Sequence, residues 1–331
     1  MKTSVSTVVI GRNEGPRLGV CLDSVGAMDR QGFAVEVIYV DSNSVDGSAE
    51  LAEACDAQVI SLALDRPTAA AGRNAGWHIS RGEIVLFLDG DTILHPSFVK
   101  DSLAAFDDPS VAIVWGHRRE TLATPSLYNR VLDLDWVYPV GDSAFCGGDA
   151  LFRREVLERT GGFDETLIAG EEPELCSRIT ALGYRILHVD RPMTGHDLAV
   201  TRFRQYWLRA TRAGHAFAEV SSRRTTMGHT FWLVESRNNS RRALFLMAVP
   251  LFCLGVAVIV KSVLPLLLLA ACFTVLVART AWKARWKSQD RTHLLLYGVH
   301  SHLQQIPIFA GQMRFWLNQR AGRQERLVEY K

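Results

Sequence analysis

The chain has 331 residues, 48% of them hydrophobic, and a formal net charge of +2 at pH 7. This length suffices for a full-sized core in one or two domains, and the composition is that of an ordinary globular protein. The six cysteines form no CxxC pair and no regular spacing. This pattern argues against disulfides or a zinc site and favours core thiols in a reducing compartment.

Charge is distributed unevenly along the chain. Residues 1–200 carry 17 Lys and Arg against 30 Asp and Glu, a net charge of −13, whereas residues 201–331 carry 20 against 5, a net charge of +15. Such a split predicts two zones with different partners, and a basic zone suits an anionic membrane surface or nucleic acid. No nucleic-acid-binding module is recognisable and the basic residues flank an apolar segment, so we expect a membrane and no nucleic acid.

The first 115 residues alternate strand-like and helix-like segments. The patterns predict strands over 5–11, 33–42, 57–64 and 84–89, and helices over 18–25, 49–57 and from residue 72 onward. This order predicts an α/β fold with a mostly parallel sheet and helices on both faces. Ligands of such sheets bind beyond the carboxyl ends of the strands, where Asp41, Ser42, Asp89 and Asp91 fall.

One of these strands ends on a pair of carboxylates. The apolar run 84–88 predicts a buried strand, and Asp89-Gly90-Asp91 follows it directly. Two oxygen donors at a strand end suit magnesium or manganese, which complete their coordination with substrate phosphates. A turn with two solvated acids explains the pattern as well, so the pattern alone leaves both interpretations open.

Residues 243–278 form a long apolar segment whose only charged residue is Lys261. A spanning helix needs about 20 apolar residues, so the segment is too long for one straight span and barely long enough for two. Lys261 lies near its middle and Pro265 just beyond, which predicts a hairpin of two short helices, either transmembrane or re-entrant. Lys and Arg on both flanks predict that both ends are cytoplasmic. A buried helical pair of a soluble protein is the alternative.

Two flanking stretches mix basic and aromatic residues. The stretch 202–217 lies in a basic amphipathic segment, 201–242, and the stretch 293–317 lies in a tail, 279–331. Their composition is typical of helices that lie on a membrane surface. A solvated helix face packed on the domain explains them equally well. The N-terminal MKTSVSTVVIGRNEG has too short an apolar stretch for a signal peptide, so we expect the first zone to stay in the cytosol.

Six motifs occur in a fixed order across the first 200 residues. They are VVIGRNEG (8–15), VDSNSVDGS (40–48), GRNAG (72–76), FLDGD (87–91), GGDALFRREVLERTGGFDE (147–165) and GEEPELCSRITALGY (170–184). Their order and spacing resemble the family-2 glycosyltransferases, which have the GT-A fold. The apolar hairpin adds a likeness to membrane-attached members that build cell-envelope polysaccharides.

The resemblance implies a GT-A domain over 1–200 and inverting transfer from a nucleotide-sugar donor, a UDP-sugar first, with Mn²⁺ or Mg²⁺ as cofactor. By position it implies a catalytic base at Glu172, with Glu171 as competitor. It implies nucleotide contacts at Gly11, Arg12, Glu14, Asp41, Arg73 and Asp89, and metal ligands at Asp89, Asp91 and His196. The remaining candidates are Gly148, Asp149 and Trp115 for the acceptor or donor sugar, and Arg202 and Arg209 for the diphosphate.

Three positions depart from the family pattern. Glu172 stands where the family has Asp, which keeps the carboxylate but lengthens its reach. Ser42 and Gly11 stand where many members have Asp and Pro, and both lie at the base-binding wall, so the donor base stays open.

Most of these candidates also have structural explanations. The acids from Glu171 onward suit a helix N-terminus, and Asp149 suits a helix N-cap before LFRREVL. His196 suits a capped or surface position. Trp115, like Trp136, suits core packing, and the arginines suit lipid contacts.

The sequence as a whole predicts a membrane-attached, metal-dependent, inverting glycosyltransferase. We expect a lipid-linked or polysaccharide acceptor at the cytosolic face of the inner or plasma membrane, with oligomers or a biosynthetic complex left open. A nucleotidyltransferase of similar fold should have a basic, Gly-rich phosphate loop near its N-terminus. The segment VVIGRNEG has one Arg and two separated glycines, so it does not match such a loop. A non-catalytic scaffold should have lost the carboxylates, yet Asp41, Asp89, Asp91 and Glu172 are all present.

Overall fold

The computed structural model describes residues 3–121, 126–226 and 228–323, so the end of the predicted tail 279–331 lies outside the described residues. It divides into two compact units, Met1–Thr121 with Trp136–Leu198, and Leu122–Asp135 with Ala199–Lys331. The first unit contains the sheet and the second is helical. The predicted subdivision at residues 200, 242 and 278 stays a prediction.

The first four strands of the first unit follow the predicted order, and five more strands come after them. They are β1 Thr3–Gly11, β2 Phe33–Asp41, β3 Gln58–Ser61, β4 Ile84–Asp89, β5 Thr92–Leu94, β6 Val111–Glu120, β7 Gly141–Asp142, β8 Ala150–Arg153 and β9 Arg185–His196. The helices before residue 200 are α1 Pro16–Gly26, α2 Ser48–Ala54, α3 Ala69–Ile79, α4 Phe98–Leu103, α5 Leu127–Asp133, α6 Arg154–Thr160 and α7 Glu171–Ala181, of which α5 belongs to the second unit.

The strands form one sheet in the order β3-β2-β1-β4-β8-β6-β9-β5, with β7 paired to β9. The strands β1 to β4 are mutually parallel, which confirms the predicted α/β arrangement. The strand β8 runs antiparallel to both β4 and β6 and makes the whole sheet mixed. The central strands β1 and β4 are buried along nearly their whole length, so the sheet is covered on both faces.

The register of the parallel strands brings the predicted site residues to one edge. Gly11 at the end of β1 lies opposite Asp41 at the end of β2. On the other side of β1, Ile10 lies opposite Asp89 at the end of β4. The loops that follow these three strands therefore begin next to one another.

The helix α3 lies unusually close to β1 because two of its residues are glycines. It begins at Ala69, three residues before the predicted start, where the Thr68 hydroxyl accepts a hydrogen bond from the Ala71 amide at 3.1 Å. A Cβ atom at Gly76 would overlap the Cγ1 atom of Val8. The GRNAG motif is therefore in part a packing requirement that sets the depth of α3 on the sheet.

One structural alternative is wrong. The residues after Asp149 form the strand β8, and the next helix, α6, begins at Arg154 with Arg153 as its N-cap. Asp149 therefore does not cap a helix, because strand pairing with β4 and β6 overrides the helix-like composition of LFRREVL.

The second unit contains α5 and five further helices. They are α8 Phe203–Thr226, α9 Leu233–Ile259, α10 Leu264–Lys283, α11 Arg291–Leu303 and α12 Gln305–Arg320. The helices α8 and α12 touch backbone to backbone, since a Cβ atom at Gly214 or Gly311 would overlap a carbonyl oxygen of the other helix. All of the stretch 202–217 except Arg202 thus lies in α8, the stretch 293–317 is divided between α11 and α12, and one face of each stretch packs within this unit.

The predicted hairpin is present as α9 and α10. A short turn around Lys261, whose φ is 48°, joins them. Both helices are long and apolar enough to cross a membrane, by length and composition. Only 11% of the most apolar window of each is buried, and large side chains such as Leu251 and Phe252 are exposed. The part of the chain that the structure describes leaves most of both helices exposed, which disfavours the alternative of a buried soluble pair.

We predict that Gly76→Ala lowers the thermal unfolding temperature, because the added methyl group overlaps Val8 in a fully buried layer. Overpacking of this kind costs about 1–3 kcal/mol. Thermal unfolding of the detergent-purified chain, followed by intrinsic fluorescence, measures the effect. Gly26→Ala is the control, because a Cβ atom there meets nothing within 4 Å. Equal unfolding temperatures for the two variants would contradict the packing argument.

Candidate functional site

Two carboxylates and an imidazole meet at the end of β4. Asp89 ends this strand, Asp91 follows it, and the pairing of β5 with β9 brings His196 beside them through Thr92. One ligand atom from each of Asp89, Asp91 and His196 lies within 4.8 Å of the others, and Asp91 Oδ1 is 3.3 Å from His196 Nε2. This combination of oxygen and nitrogen donors fits a divalent cation such as Mn²⁺.

A buried guanidinium, that of Arg73 in α3, lies beside this cluster. The side chain is 2% exposed, and its nitrogens lie 2.9 Å from Asp89 Oδ1, 3.0 Å from Glu171 Oε1 and 3.2 Å from Glu172 Oε1. Burial alone would lower the pKa of Arg73, but the charges of Glu172, Asp89 and Glu171 outweigh it and raise this pKa. Arg73 therefore stays charged and joins α3, the end of β4 and the start of α7.

Glu171 and Glu172 open α7, where acidic residues interact favourably with the helix dipole. Both contact Arg73, yet their surroundings differ. The side chain of Glu171 is 6% exposed and that of Glu172 is 17% exposed. Burial and then the charge of Glu171 raise the pKa of Glu172 from 4.5 to about 7, against the opposing effect of Arg73. Glu172 is the more accessible of the two, and its raised pKa makes its carboxylate a stronger base than an ordinary glutamate.

Asp149 is a buried residue that is hydrogen-bonded to the backbone of Asp89. It is fully buried; its Oδ1 accepts a hydrogen bond from the Asp89 amide at 3.0 Å, and its Oδ2 accepts one from the Thr194 hydroxyl at 2.8 Å. These bonds tie the end of β4 to β9. Its neighbour Gly148 is closely packed, since a Cβ atom there would lie 2.6 Å from Arg73 Nη2 and 2.9 Å from Asp89 Oδ2.

Asp41 lies at the end of β2 and is 3% exposed. Its carboxylate accepts hydrogen bonds from the Tyr39 hydroxyl at 3.2 Å and from the Ser44 amide at 2.8 Å. Beside it, a Cβ atom at Gly11 would lie 2.9 Å from the Tyr39 hydroxyl, so the backbone of β1 approaches closely. Asp41 is therefore held in one orientation at the strand edge.

The loops after β1 and β2 are hydrogen-bonded to each other. The Asn13 amide donates to Ser44 Oγ at 2.9 Å, and the Val45 amide donates to Asn13 Oδ1 at 2.9 Å. In the same loop Arg12 is exposed, and Glu14 pairs with Arg17 at 3.0 Å. The predicted nucleotide-binding residues Gly11, Arg12, Glu14 and Asp41 thus line one continuous wall.

Arg118, in β6, belongs to the site although the sequence did not single it out. Its nitrogens lie 3.6 Å from Asp89 Oδ2 and 3.7 Å from Asp149 Oδ2. Its guanidinium lies 4.8 Å from the centre of the half-buried Trp136 ring, which in turn meets the His196 ring edge to face at 5.1 Å. The only sequence signal was the apolar run VAIVW (111–115), a strand pattern that ends just before two arginines.

Three candidates of the sequence analysis remain, namely Trp115, Arg202 and Arg209. Trp115 is 4% exposed and stacks on His188 with ring centres 4.1 Å apart, which is what the packing alternative predicts. In the second unit, Arg202 directly precedes α8 and Arg209 lies within it, and their contact with a diphosphate stays a prediction.

Comparison with known proteins gives two family matches. The sequence model described as Glycosyl transferase family 2 matches residues 6–161, and the one described as Glycosyl transferase family group 2 matches residues 84–282, more than half of the chain. Both matches include the carboxylates at the end of β4.

Curated relatives are similar over about half of this chain. Glycosyltransferase AglE of Haloferax volcanii is 27% identical over 191 residues, which cover 55% of this chain and 63% of that protein. Succinoglycan biosynthesis protein ExoU of Rhizobium meliloti is 28% identical over 211 residues, which cover 56% and 60%. Both matches span less than two thirds of the relative.

Solved structures share the GT-A fold. Mannosyltransferase PcManGT from Pyrobaculum calidifontis, in complex with GDP-Man and Mn²⁺, has a TM-score of 0.60 and 21% identity, covering 89% of this chain and 86% of its own. S. aureus TarS in complex with UDP-GlcNAc has a TM-score of 0.52 and 15% identity, covering 97% and 93%. At these identities the likeness concerns the fold alone.

We predict that Gly148→Ala weakens Mn²⁺ binding about tenfold, because the added methyl group displaces Asp89 or the guanidinium that holds it. Titration of the purified chain with Mn²⁺, followed by electron paramagnetic resonance of the free ion, measures the affinity. Gly147→Ala is the matched control, because its Cβ atom would meet only Arg118 Nη1, at 3.8 Å. Equal affinities for both variants would show that close packing at Gly148 does not shape the cluster.

Proposed function

The chain belongs to glycosyl transferase family group 2, and from this premise we propose that it is a metal-dependent, inverting glycosyltransferase. It moves a hexosyl or N-acetylhexosaminyl group from a nucleotide-sugar donor to a lipid-linked or polysaccharide acceptor. The observation that carries the proposal is the cluster of Asp89, Asp91 and His196, fixed beside the wall of Gly11 and Asp41 at the carboxyl edge of the parallel strands.

Asp89, Asp91 and His196 would hold Mn²⁺ or Mg²⁺, which when bound neutralises the charge of the donor diphosphate. Asp91 is the firmer candidate ligand, because the carboxylate of Asp89 is shared with Arg73 and Arg118. This sharing also keeps Asp89 fixed, since a charged side chain held by two cations has few alternative positions.

The nucleotide lies along the wall formed by Gly11, Arg12, Glu14 and Asp41. The hydrogen bonds from Tyr39 and Ser44 orient the Asp41 carboxylate, which prearranges an acceptor for an N–H group of the base. A UDP-sugar is our first candidate. The fold neighbours were solved with GDP-Man and with UDP-GlcNAc, so both bases belong in the test.

Glu172 is the proposed general base. It takes the proton of the acceptor hydroxyl, whose oxygen then attacks the anomeric carbon on the face opposite to the departing diphosphate, and the configuration inverts. The greater exposure of its side chain favours it over Glu171, and burial and the neighbouring charge of Glu171 raise the pKa of Glu172 in the direction that suits proton transfer at neutral pH. Glu171 is left to neutralise Arg73, and Trp136 is the better placed aromatic ring for sugar contacts.

The apolar hairpin and the curated relatives support the proposed class of acceptor. ExoU is named as a succinoglycan biosynthesis protein, which supports a polysaccharide or its lipid-linked precursor as the acceptor. At 1.5 Å per residue, Arg242 to Lys261 spans about 28 Å and Lys261 to Arg279 about 27 Å. Each arm matches a bilayer core of about 30 Å, and the basic residues at both ends of the hairpin support a cytosolic position of these ends at the inner or plasma membrane.

We predict that Asp91→Asn weakens Mn²⁺-dependent binding of a nucleoside diphosphate at least about tenfold, because the variant loses a charged metal ligand. Calorimetry with UDP, GDP and their sugar conjugates, each with Mn²⁺ and with chelator, gives the affinity and identifies the base. Asp23→Asn, an exposed position in α1, should bind like the unchanged chain. Metal-independent binding, or full binding by Asp91→Asn, would contradict the proposed metal site.

We predict that Glu172→Gln lowers transfer by roughly 10²–10⁴-fold and leaves donor affinity within about twofold, because it removes the base but keeps the shape. The assay follows the nucleoside diphosphate released from the bound donor, with a lipid extract as the source of acceptor. A base must be deprotonated, so kcat/KM of the unchanged chain should rise with pH through about 7.

Glu171→Gln serves as the comparison for this prediction. It should lower the unfolding temperature, because Arg73 loses one of its three carboxylates. The assignment reverses if Glu171→Gln abolishes transfer without loss of stability while Glu172→Gln remains active.

A further inference from the structure

A cavity of about 570 Å³ opens in the second unit at the basic end of the hairpin. Its lining comes from three helices, α9, α10 and α11. The lining residues are Arg241, Arg242, Phe245, Leu246, Leu276, Arg279, Thr280, Lys283, Ser301 and His302. The volume falls in the range of about 300–1,000 Å³ that is usual for small-molecule sites.

The lining follows helical periodicity, so the cavity is built by whole helix faces. On α10, Leu276, Arg279, Thr280 and Lys283 recur at intervals of three and four residues and share one face. On α9, each arginine of the pair 241–242 lies four residues before an apolar lining residue. Cationic groups thus lie beside apolar ones on both arms of the hairpin.

The walls of the cavity are fixed by polar contacts between helices. The Thr280 hydroxyl and His302 Nε2 are 3.1 Å apart and join α10 to α11. A Cβ atom at Gly298 would lie 2.6 Å from the Val277 carbonyl oxygen, so these two helices pack closely. On the other side, Gln312 of α12 donates to the Ser236 carbonyl at 2.8 Å and accepts from Ser240 Oγ at 2.7 Å, which holds α9.

The cavity concentrates positive charge without acidic neighbours in the chain. The sequence contains no Asp or Glu from residue 236 to residue 289, and this interval includes all four cationic lining residues. Among the described residues, none of Arg241, Arg242, Arg279 and Lys283 forms an ion pair with a carboxylate. Four like charges around one cavity repel one another, so an anion from outside the chain would stabilise them.

We propose that this cavity binds the phosphate group of a membrane lipid. The phosphate lies among the four cationic groups, which offer the bidentate and single hydrogen bonds that arginine and lysine make to phosphate oxygens. The lipid chains run along Phe245, Leu246 and Leu276 onto the exposed apolar surface of α9 and α10. The lining residues belong to the second unit and the cluster at Asp89 and Asp91 to the first, and lipid binding is measured here without any sugar donor.

The test uses the full chain purified in detergent, with lipid binding followed by native mass spectrometry. Dioleoylphosphatidylglycerol is titrated onto the unchanged chain and onto the double variant Arg241→Gln/Arg279→Gln. We expect the first bound lipid to be held at least about tenfold more weakly by the variant, because one charged donor is lost from each arm. Arg241→Lys/Arg279→Lys keeps the charge and should retain most of the affinity.

The matched control is Arg237→Gln/Arg285→Gln, which removes the same charge from neighbouring positions that do not line the cavity. Its affinity should change by less than about twofold. An equal loss in control and cavity variants would overturn the proposal in favour of diffuse charge attraction. Circular dichroism and the unfolding temperature establish that each variant is folded, and the charge-keeping pair still tests the site if the glutamine pair unfolds.

Three further ligands separate the sources of the phosphate. Dioleoylglycerol, which lacks phosphate, should bind far more weakly, and equal binding would overturn the proposal. If undecaprenyl phosphate displaces phosphatidylglycerol at a concentration below that of phosphatidylglycerol, the site belongs to a carrier lipid. If the two lipids compete equally, the site binds bulk phospholipid. Both outcomes support the proposal. Inorganic phosphate that fills the site while neither lipid binds would overturn it in favour of a soluble anion.

Discussion

The first unit depends on one buried cation. Removing the Arg73 guanidinium from water is costly unless opposite charges and hydrogen bonds surround it, and three carboxylates do so here. Because these carboxylates belong to β4 and α7 while Arg73 belongs to α3, neutralising the cation fixes three elements at once. The next residue, Asn74, extends the arrangement by exchanging hydrogen bonds with the Phe163 backbone, each at 2.9 Å. The GRNAG motif therefore combines charge, backbone recognition and close packing in one helical turn and a half.

Sequence reasoning predicted the part of the site that parallel strands alone determine. Gly11, Asp41 and Asp89 end neighbouring strands, and carboxyl ends of parallel strands meet at one edge, so their proximity follows from the strand order. The contributions of β6 and β9 could not be predicted in the same way. Their pairing shifts register between Trp115 and His117 and again before Arg118, which breaks the alternation that would assign side chains to faces. The sequence therefore left sugar contact and core packing both open for Trp115, which is buried against His188, and it did not single out Arg118.

In the helical half, too, local features could be predicted from the sequence, whereas features that depend on the packing of helices could not. The hairpin could be predicted because its length, its single lysine and its basic flanks are local properties of the sequence. The cavity could not be predicted, because Arg241 and Arg279 lie on different helices and meet only when α9 and α10 pack antiparallel with a particular register. The sequence carried a weaker signal, the absence of acids over the whole interval 236–289, which shows that any partner of these cations must come from outside that interval.

Both halves can be understood from one electrostatic rule, that a concentration of like charge needs a counter-charge nearby. In the first unit the surplus is negative. Arg73 and Arg118 offset the carboxylates around Asp89, and the donor set of Asp91 and His196 suits a further cation. In the second unit the surplus is positive and lies beside exposed apolar surface, including Phe252 at 72% exposure. A nucleic acid could supply negative charge but would leave that apolar surface in water, whereas an anionic lipid satisfies both. Charge and hydrophobicity together therefore favour a membrane partner for the basic half. Neither property alone would distinguish a membrane from a nucleic acid.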